Sequence, residues 1–302
     1  MSGKNESTKV TIVKTGDRGK GIRKSIELLG INPVQGKNTV LKPNFNTADS
    51  YPGSTHPDTL RELLKCIDQM GSKTITIAER SGPVDSGEVI KTLGADQIAK
   101  EMSAKLINID QLSASELVKV EPPGSHWKEG FKVAKLFQEA ECIVASPCLK
   151  THQFGGVFTI SLKLAVGVVP KAGTNYMAEL HSSAHMGKMI AEINYAYRPD
   201  LIVLDAQEAF VEEGPMTGKR KSSELFIAGT DRIAIDAVGV AILKELGSTP
   251  KIMETPIFEQ EQIKRAIELN LGINSPDQIE LISDDEKSEQ YANKIRSILD
   301  QG

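Results

Sequence analysis

Short apolar runs alternate with helical stretches along most of this chain, and several of the apolar runs end in residues that can carry chemistry. Residues 10–14, 39–42, 73–78, 106–109, 142–145, 201–204 and 225–228 read as strands. Residues 21–29 and 231–246 read as helices, the second capped near Thr230 or Asp231. Residues 57–70 place Leu60, Leu63, Leu64 and Ile67 on one helical face, and 89–102 read as a broken helix. This alternation predicts an α/β fold: a doubly wound, mostly parallel sheet with helices on both faces. The last 50 or so residues read as helix, strand, helix, with the strand at 278–282. We therefore expect a core domain over 1–250, carrying the site, and a small acidic extension over 251–302. The run 214–221 reads as an exposed loop.

Charge supports that division. The extension holds 6 basic and 11 acidic residues, a net of −5 within a total of −4, so the core is close to neutral. Neither part carries the basic excess that binds nucleic acid or anionic membrane, and no apolar run is long enough to span a bilayer. The polar first residues lack the apolar stretch of a secretory signal, so a reducing cytoplasm is the expected compartment. Cys66, Cys142 and Cys148, with no CxxC pair, are too few for a disulfide framework or an iron–sulfur cluster.

In wound sheets ligands bind beyond the carboxyl ends of strands. Pro43-Asn44 (just after Lys42), Glu79-Arg80, the run Ser146 to His152, and Asp205 to Glu208 all follow predicted strands. Lys150 and His152, two apart in an extended segment, point the same way; the pair suits an anion and a proton, or else a solvated strand end. Gly155-Gly156 lets backbone approach a ligand and can precede a helix near Val157, or is simply a turn. Lys163 sits in Phe-Thr-Ile-Ser-Leu-Lys-Leu-Ala-Val-Gly, where burial lowers an amine's pKa and makes it a nucleophile or anion anchor unless it snorkels to the surface. From Lys150 to Lys171 there are lysines and no Asp or Glu, so positive local potential is expected. We accordingly take His152, Lys163 and Lys150 as candidate catalytic residues, with Gly155, Gly156, Lys42, Asn44 and Arg80 binding substrate. His181 and His185 have metal-ligand spacing if helical, and Asp205 could complete a divalent-cation site. Asp236, in an apolar run, needs a lysine or backbone amide as partner.

The combination Lys42-Pro-Asn44, Lys150-Thr-His152, Ser161-Leu-Lys163, Gly167-Val-Val-Pro170, His185-Met-Gly187, Asp200 to Asp205, Gly214-Pro215 and Gly229 to Asp236 resembles the family called domain of unknown function 362. That family often carries a ferredoxin-type module, for which this chain lacks the cysteines, and usually has asparagine where Leu164 stands. More distantly, the order histidine, glycine pair, lysine, glycine, histidine resembles the N-terminal domain of the nickel-pincer lactate racemase family. That likeness implies a cofactor on Lys163, nickel on His181 and proton transfer by His152. The family's second catalytic histidine has no counterpart at Ile77-Ala-Glu79-Arg80-Ser81.

Two readings follow. One is a cytoplasmic enzyme, isomerase- or racemase-like or another acid–base catalyst, using Lys/His chemistry on a small carboxylate or phosphate, with a divalent metal or lysine-anchored cofactor as an open addition. The other is a non-catalytic binder of an anion, metal or cofactor. A scaffold subunit contacting a partner through its acidic tail is favoured less, because it leaves the lysine–histidine cluster without a task.

Overall fold

A computed structural model describes residues 7–171 and 173–301. Twelve strands run in chain order as β1 (Thr8–Lys14), β2 (Asn38–Lys42), β3 (Thr74–Glu79), β4 (Lys105–Asn108), β5 (Leu117–Val120), β6 (Phe131–Ala134), β7 (Cys142–Ala145), β8 (Cys148–His152), β9 (Val157–Thr159), β10 (Leu201–Glu213), β11 (Gly218–Gly229) and β12 (Ile279–Ile282). The main sheet has the order β12-β1-β11-β10-β7-β2-β3-β4, with β8 paired to β10 and β9 paired to β8. Pairings from β10 through β7, β2 and β3 to β4 are parallel. The β10–β11 and β1–β11 pairs are antiparallel, so a long ribbon is built into an otherwise parallel sheet.

Alternation along the strands explains why both faces are covered. Val40, Ala78, Ile143 and Ile202 join one buried apolar cluster. Leu41, Ile77, Val144 and Val203, their neighbours in sequence, join a second cluster. Side chains of period two point to opposite faces, so a strand with no polar face needs helices on both. The helix Pro57–Gln69 buries Leu60, Leu63, Leu64 and Ile67 as its periodicity requires. The helix Arg232–Leu246 is buried almost throughout and capped by Asp231, whose carboxylate accepts from Ile233 and Ala234.

The structure corrects two local expectations. The run 214–221 is not all loop, since β11 begins at Gly218. No helix starts at Val157 either. Gly155 and Val157 both take left-handed backbone (φ 86° and 62°), which turns the chain back so that β9 pairs antiparallel with β8. The helical turn begins only at Ser161. In the C-terminal extension, β12 pairs in parallel with β1 and continues the sheet.

Helix-to-sheet packing is tightest at Gly21, on the helix Arg18–Leu29, where an added Cβ would lie 2.0 Å from the Phe226 ring. Gly21→Ala should therefore overpack that contact by about 1–3 kcal/mol and lower Tm by roughly 2–8 °C in a thermal melt. An unchanged melt would show that the Phe226 ring moves aside freely.

Candidate anion-binding and acid–base site

The candidate site lies beyond the carboxyl ends of β2, β3 and β8. An inner chamber of about 50 Å³ is lined by Lys42, Asn44, Glu79, Arg80, Lys150, His152, Thr159 and Lys163, among others. It adjoins a cleft of about 1170 Å³ that shares Arg80, His152 and Lys163 with it. Each side chain arrives there for a local reason. Lys42 and Glu79 are the last residues of adjacent parallel strands and form a buried ion pair of 2.6 Å. Glu79 also accepts from the amides of Phe45 (3.0 Å) and Arg80 (2.9 Å), which pins both strand ends. Lys150 and His152 lie two apart on β8 and share a face.

Lys163 is set by a longer-range contact. Asp236, wholly buried on the helix Arg232–Leu246, accepts from the amides of Ser161 (2.7 Å) and Leu162 (3.2 Å). Burial pushes the Asp236 carboxyl well above its ordinary range, and the two amides pull against that shift. The backbone partner expected for Asp236 is thus the start of the helical turn that carries Lys163. In that turn Ser161, Leu162 and Leu164 are buried, and Lys163 opens on the chamber. Leu164 lines the chamber as an apolar wall.

Gly156 explains how closely Lys163 and His152 approach. A Cβ there would stand 2.8 Å from Lys163 Cε and 3.0 Å from His152 Nδ1. Gly167 does the same over the ion pair, where a Cβ would meet Glu79 Oε1 and Lys42 Nζ, each at 2.6 Å.

The electrostatics are cationic. Lys42, Arg80, Lys150 and Lys163 line the chamber, and Glu79 is the carboxylate among its lining residues. Arg80 is spent on carbonyl oxygens, donating to Val169 and Val166 at 2.7 Å each. Lys150 donates to the Gly53 carbonyl. Among the described residues neither Lys150 nor Lys163 has an ion-pair partner. Burial lowers the Lys150 amine to about 8, and lowers Lys163 to about 7 with help from the charges of Lys150 and Arg80. Burial, then Lys163, His181 and Lys150, holds His152 to about 2, so its imidazole is neutral at physiological pH. Three buried polar atoms of the chamber find no partner among the described residues: Asn44 Oδ1, His152 Nδ1 and Thr159 Oγ1. Unpaired buried polar atoms are costly, so these three are open to a hydrogen bond from a ligand or a water.

The residues singled out for substrate and catalysis thus come together: Lys42, Asn44, Arg80, Lys150, His152 and Lys163 in the chamber, with Gly155 and Gly156 beside it. The trio singled out for metal does not. His181 lines the cleft, on the helix Tyr176–Ser182. His185 lies outside that helix, its ring 4.8 Å from that of His126. Asp205 is buried elsewhere, accepting from Arg18 (2.9 Å), Tyr51 (2.7 Å) and Thr59 (2.5 Å). Among the described residues no three His, Cys, Asp or Glu side chains form a metal-ligating group. Sequence reasoning missed Gln262, buried on the helix Glu261–Glu268 of the extension. Its amide donates to Gly156 O (2.6 Å) and Phe158 O (3.2 Å), bracing the glycine turn from outside the core. A buried polar position on an otherwise amphipathic helix gives no local sequence signal.

Among the described residues no helix is long and apolar enough to cross a membrane. A search of curated proteins finds no match. Among solved structures, one similar chain is a Thermotoga maritima protein from a structural genomics programme, 15% identical with a TM-score of 0.48. The alignment covers 73% of this chain and 57% of that one, so this protein spans little over half the length of its Thermotoga counterpart. Another is the lactate racemase apoprotein from Thermoanaerobacterium thermosaccharolyticum, 12% identical with a TM-score of 0.40, covering 96% of this chain and 86% of that one. Likeness this distant carries nothing about activity. The profile of one family matches residues 39–241, from β2 into the helix that bears Asp236 and across every chamber residue named above, and so the chain belongs to the family described as Domain of unknown function (DUF362).

Proposed function

We propose that this protein is an enzyme acting on a small carboxylate or phosphate, with Lys150 and Lys163 holding the anion and His152 moving a proton. The observation that carries this reading is the neutral, partnerless His152 Nδ1 beside two lysines without carboxylate partners. An anion in the chamber would restore charge to both amines, because a nearby negative charge raises a lysine's pKa. The same anion would raise the pKa of His152, matching a base that must hold a proton during turnover. Lys42–Glu79 is satisfied internally and serves as the floor.

A second reading adds a lysine-anchored cofactor. It is favoured by Lys163 and His181 lining one cleft, the former with a desolvated amine. Lys163 would hold such a group and His181 would be its protein ligand to a metal, which would supply Lewis acidity. Elemental analysis and intact mass of protein from its native host test this directly: an adduct lost in Lys163→Arg supports it, and an unmodified, metal-free chain removes it.

Acid–base chemistry is tested by solvent exchange. The protein is incubated in D₂O with small carboxylates and phosphate esters bearing an acidic C–H bond, and deuterium uptake is read by NMR. We expect uptake into at least one member, slowed about 10²-fold or more in His152→Asn. Anion binding without exchange across the panel would favour the non-catalytic binder.

A further inference from the structure

The polarity of the site changes sharply from its floor to its mouth. The cationic floor is the chamber of about 50 Å³, too small for more than an anionic head group. The cleft above it is more than twenty times larger, at about 1170 Å³. Several of the groups at the boundary have an apolar neighbour in the cleft. The Phe154 ring stands edge-on to His152, with centroids 6.0 Å apart. The Met177 sulfur lies 3.0 Å from Arg80 Nη2. A Cβ on Gly155 would lie 3.2 Å from the Met186 sulfur. Pro83, Pro215 and Met216 continue the apolar surface. Phe154, at the rim of the cationic site, is 49% exposed and so reachable by a ligand. Methionine and phenylalanine supply an adaptable apolar surface. Two charged groups of the outer cleft are engaged within the protein, Lys171 with Asp110 and the carbonyls of Ser81, Gly82 and Val84, and Glu261 with the Gly187 amide; Asn46, Gln153, Ser183 and Lys251 supply further polar groups at its rim.

We infer that the ligand is an amphipathic anion: a carboxylate or phosphate head seated among Lys150, Lys163 and His152, joined to an apolar body of several carbons lying against Phe154, Met177 and Met186. This deepens the anion reading above and rests on it. A lone phosphate or acetate would fill the chamber and leave the cleft to water. An uncharged apolar molecule would leave Lys150 and Lys163 desolvated without a counter-charge, which is costly.

Isothermal titration at pH 6.5, where Lys163 is mostly protonated, separates the two ideas. The probes are acetate, hexanoate and hexanamide, with methyl phosphate and hexyl phosphate as the second head-group series. We expect each buried methylene to tighten binding about threefold or more, so hexanoate should exceed acetate by well over tenfold. Hexanamide should bind far more weakly than hexanoate, and the tighter of the two series identifies the head group. Phe154→Ser and Met177→Ser should weaken hexanoate several-fold while leaving acetate unchanged. Lys163→Met should weaken every anion. Equal affinity for acetate and hexanoate would overturn the apolar body and leave the anion site standing. Hexanamide binding as well as hexanoate would overturn the charged head. If none of the anions binds, the anion reading itself fails, and this inference with it.

Discussion

With Lys163 as a nucleophile or cofactor anchor, Lys163→Met is expected to abolish both anion binding and turnover, whereas Lys163→Arg should retain binding and lose turnover; with Lys163 as an anion holder alone, Lys163→Arg should keep both. The Lys163 amine is held at about 7 by burial first, then by Lys150 and Arg80. Near neutrality it is therefore split between a charged form that attracts an anion and a free amine that can react. Methionine keeps the apolar stem and removes both forms. Arginine stays protonated, so it preserves the attraction and removes the nucleophile or anchor. A loss of turnover of 10²-fold or more in both variants, with anion affinity surviving only in arginine, is the expected pattern. Full activity in Lys163→Arg would reduce the residue to a charge. Full activity in Lys163→Met would take it out of the site. In the wild-type protein, anion affinity should fall as pH rises through 7 to 8, because Lys163 and then Lys150, at about 8, lose their protons.

Acid should destabilise the ligand-free protein through His152. In the folded state its pKa lies near 2, against 6.5 for the free side chain. The unfolded chain therefore binds a proton below about pH 6.5 that the native chamber refuses, and stability falls as pH drops through that window. At about 1.4 kcal/mol per pH unit, His152 alone removes on the order of 3 kcal/mol between pH 7 and pH 4. Denaturant melts of wild type and His152→Asn across this range should diverge, with the variant losing less stability toward pH 4. Saturating phosphate should shrink the difference in part, since a bound anion offsets the Lys163 and Lys150 charges that add to burial in excluding the proton. Parallel pH profiles for the two proteins would show that His152 is not held neutral by its surroundings.

The strands and helices that frame the site are legible in the sequence because their signal is local. The short apolar run at 39–42, the alternation of 73–78 and the 3.6 period of 57–70 mark buried elements without reference to partners. The Lys150/His152 pair was legible for the same reason, since residues two apart on a strand share a face wherever the strand lies. Lys163 stood out as a lysine in an apolar run, for which solvation alone is a poor account. The turn after Gly156 was not legible. A glycine pair permits either a helix entry or a hairpin, and the choice fell to the pairing of β9 with β8.

By itself, then, the sequence determined the α/β class and the family, and it singled out the residues proposed for the site. Tertiary structure decided which of them meet. It placed Lys42 and Glu79 side by side through the parallel β2–β3 register, and tied the Lys163 turn to Asp236 some 75 residues away. It braced Gly156 with Gln262 from the acidic extension. It also drew Asp205 away to Arg18, Tyr51 and Thr59, far from any shared task with His181 and His185. The physical reason is range. Periodicity and propensity act over a few residues, whereas strand order and the neutralisation of buried charge are settled between segments that only folding brings together.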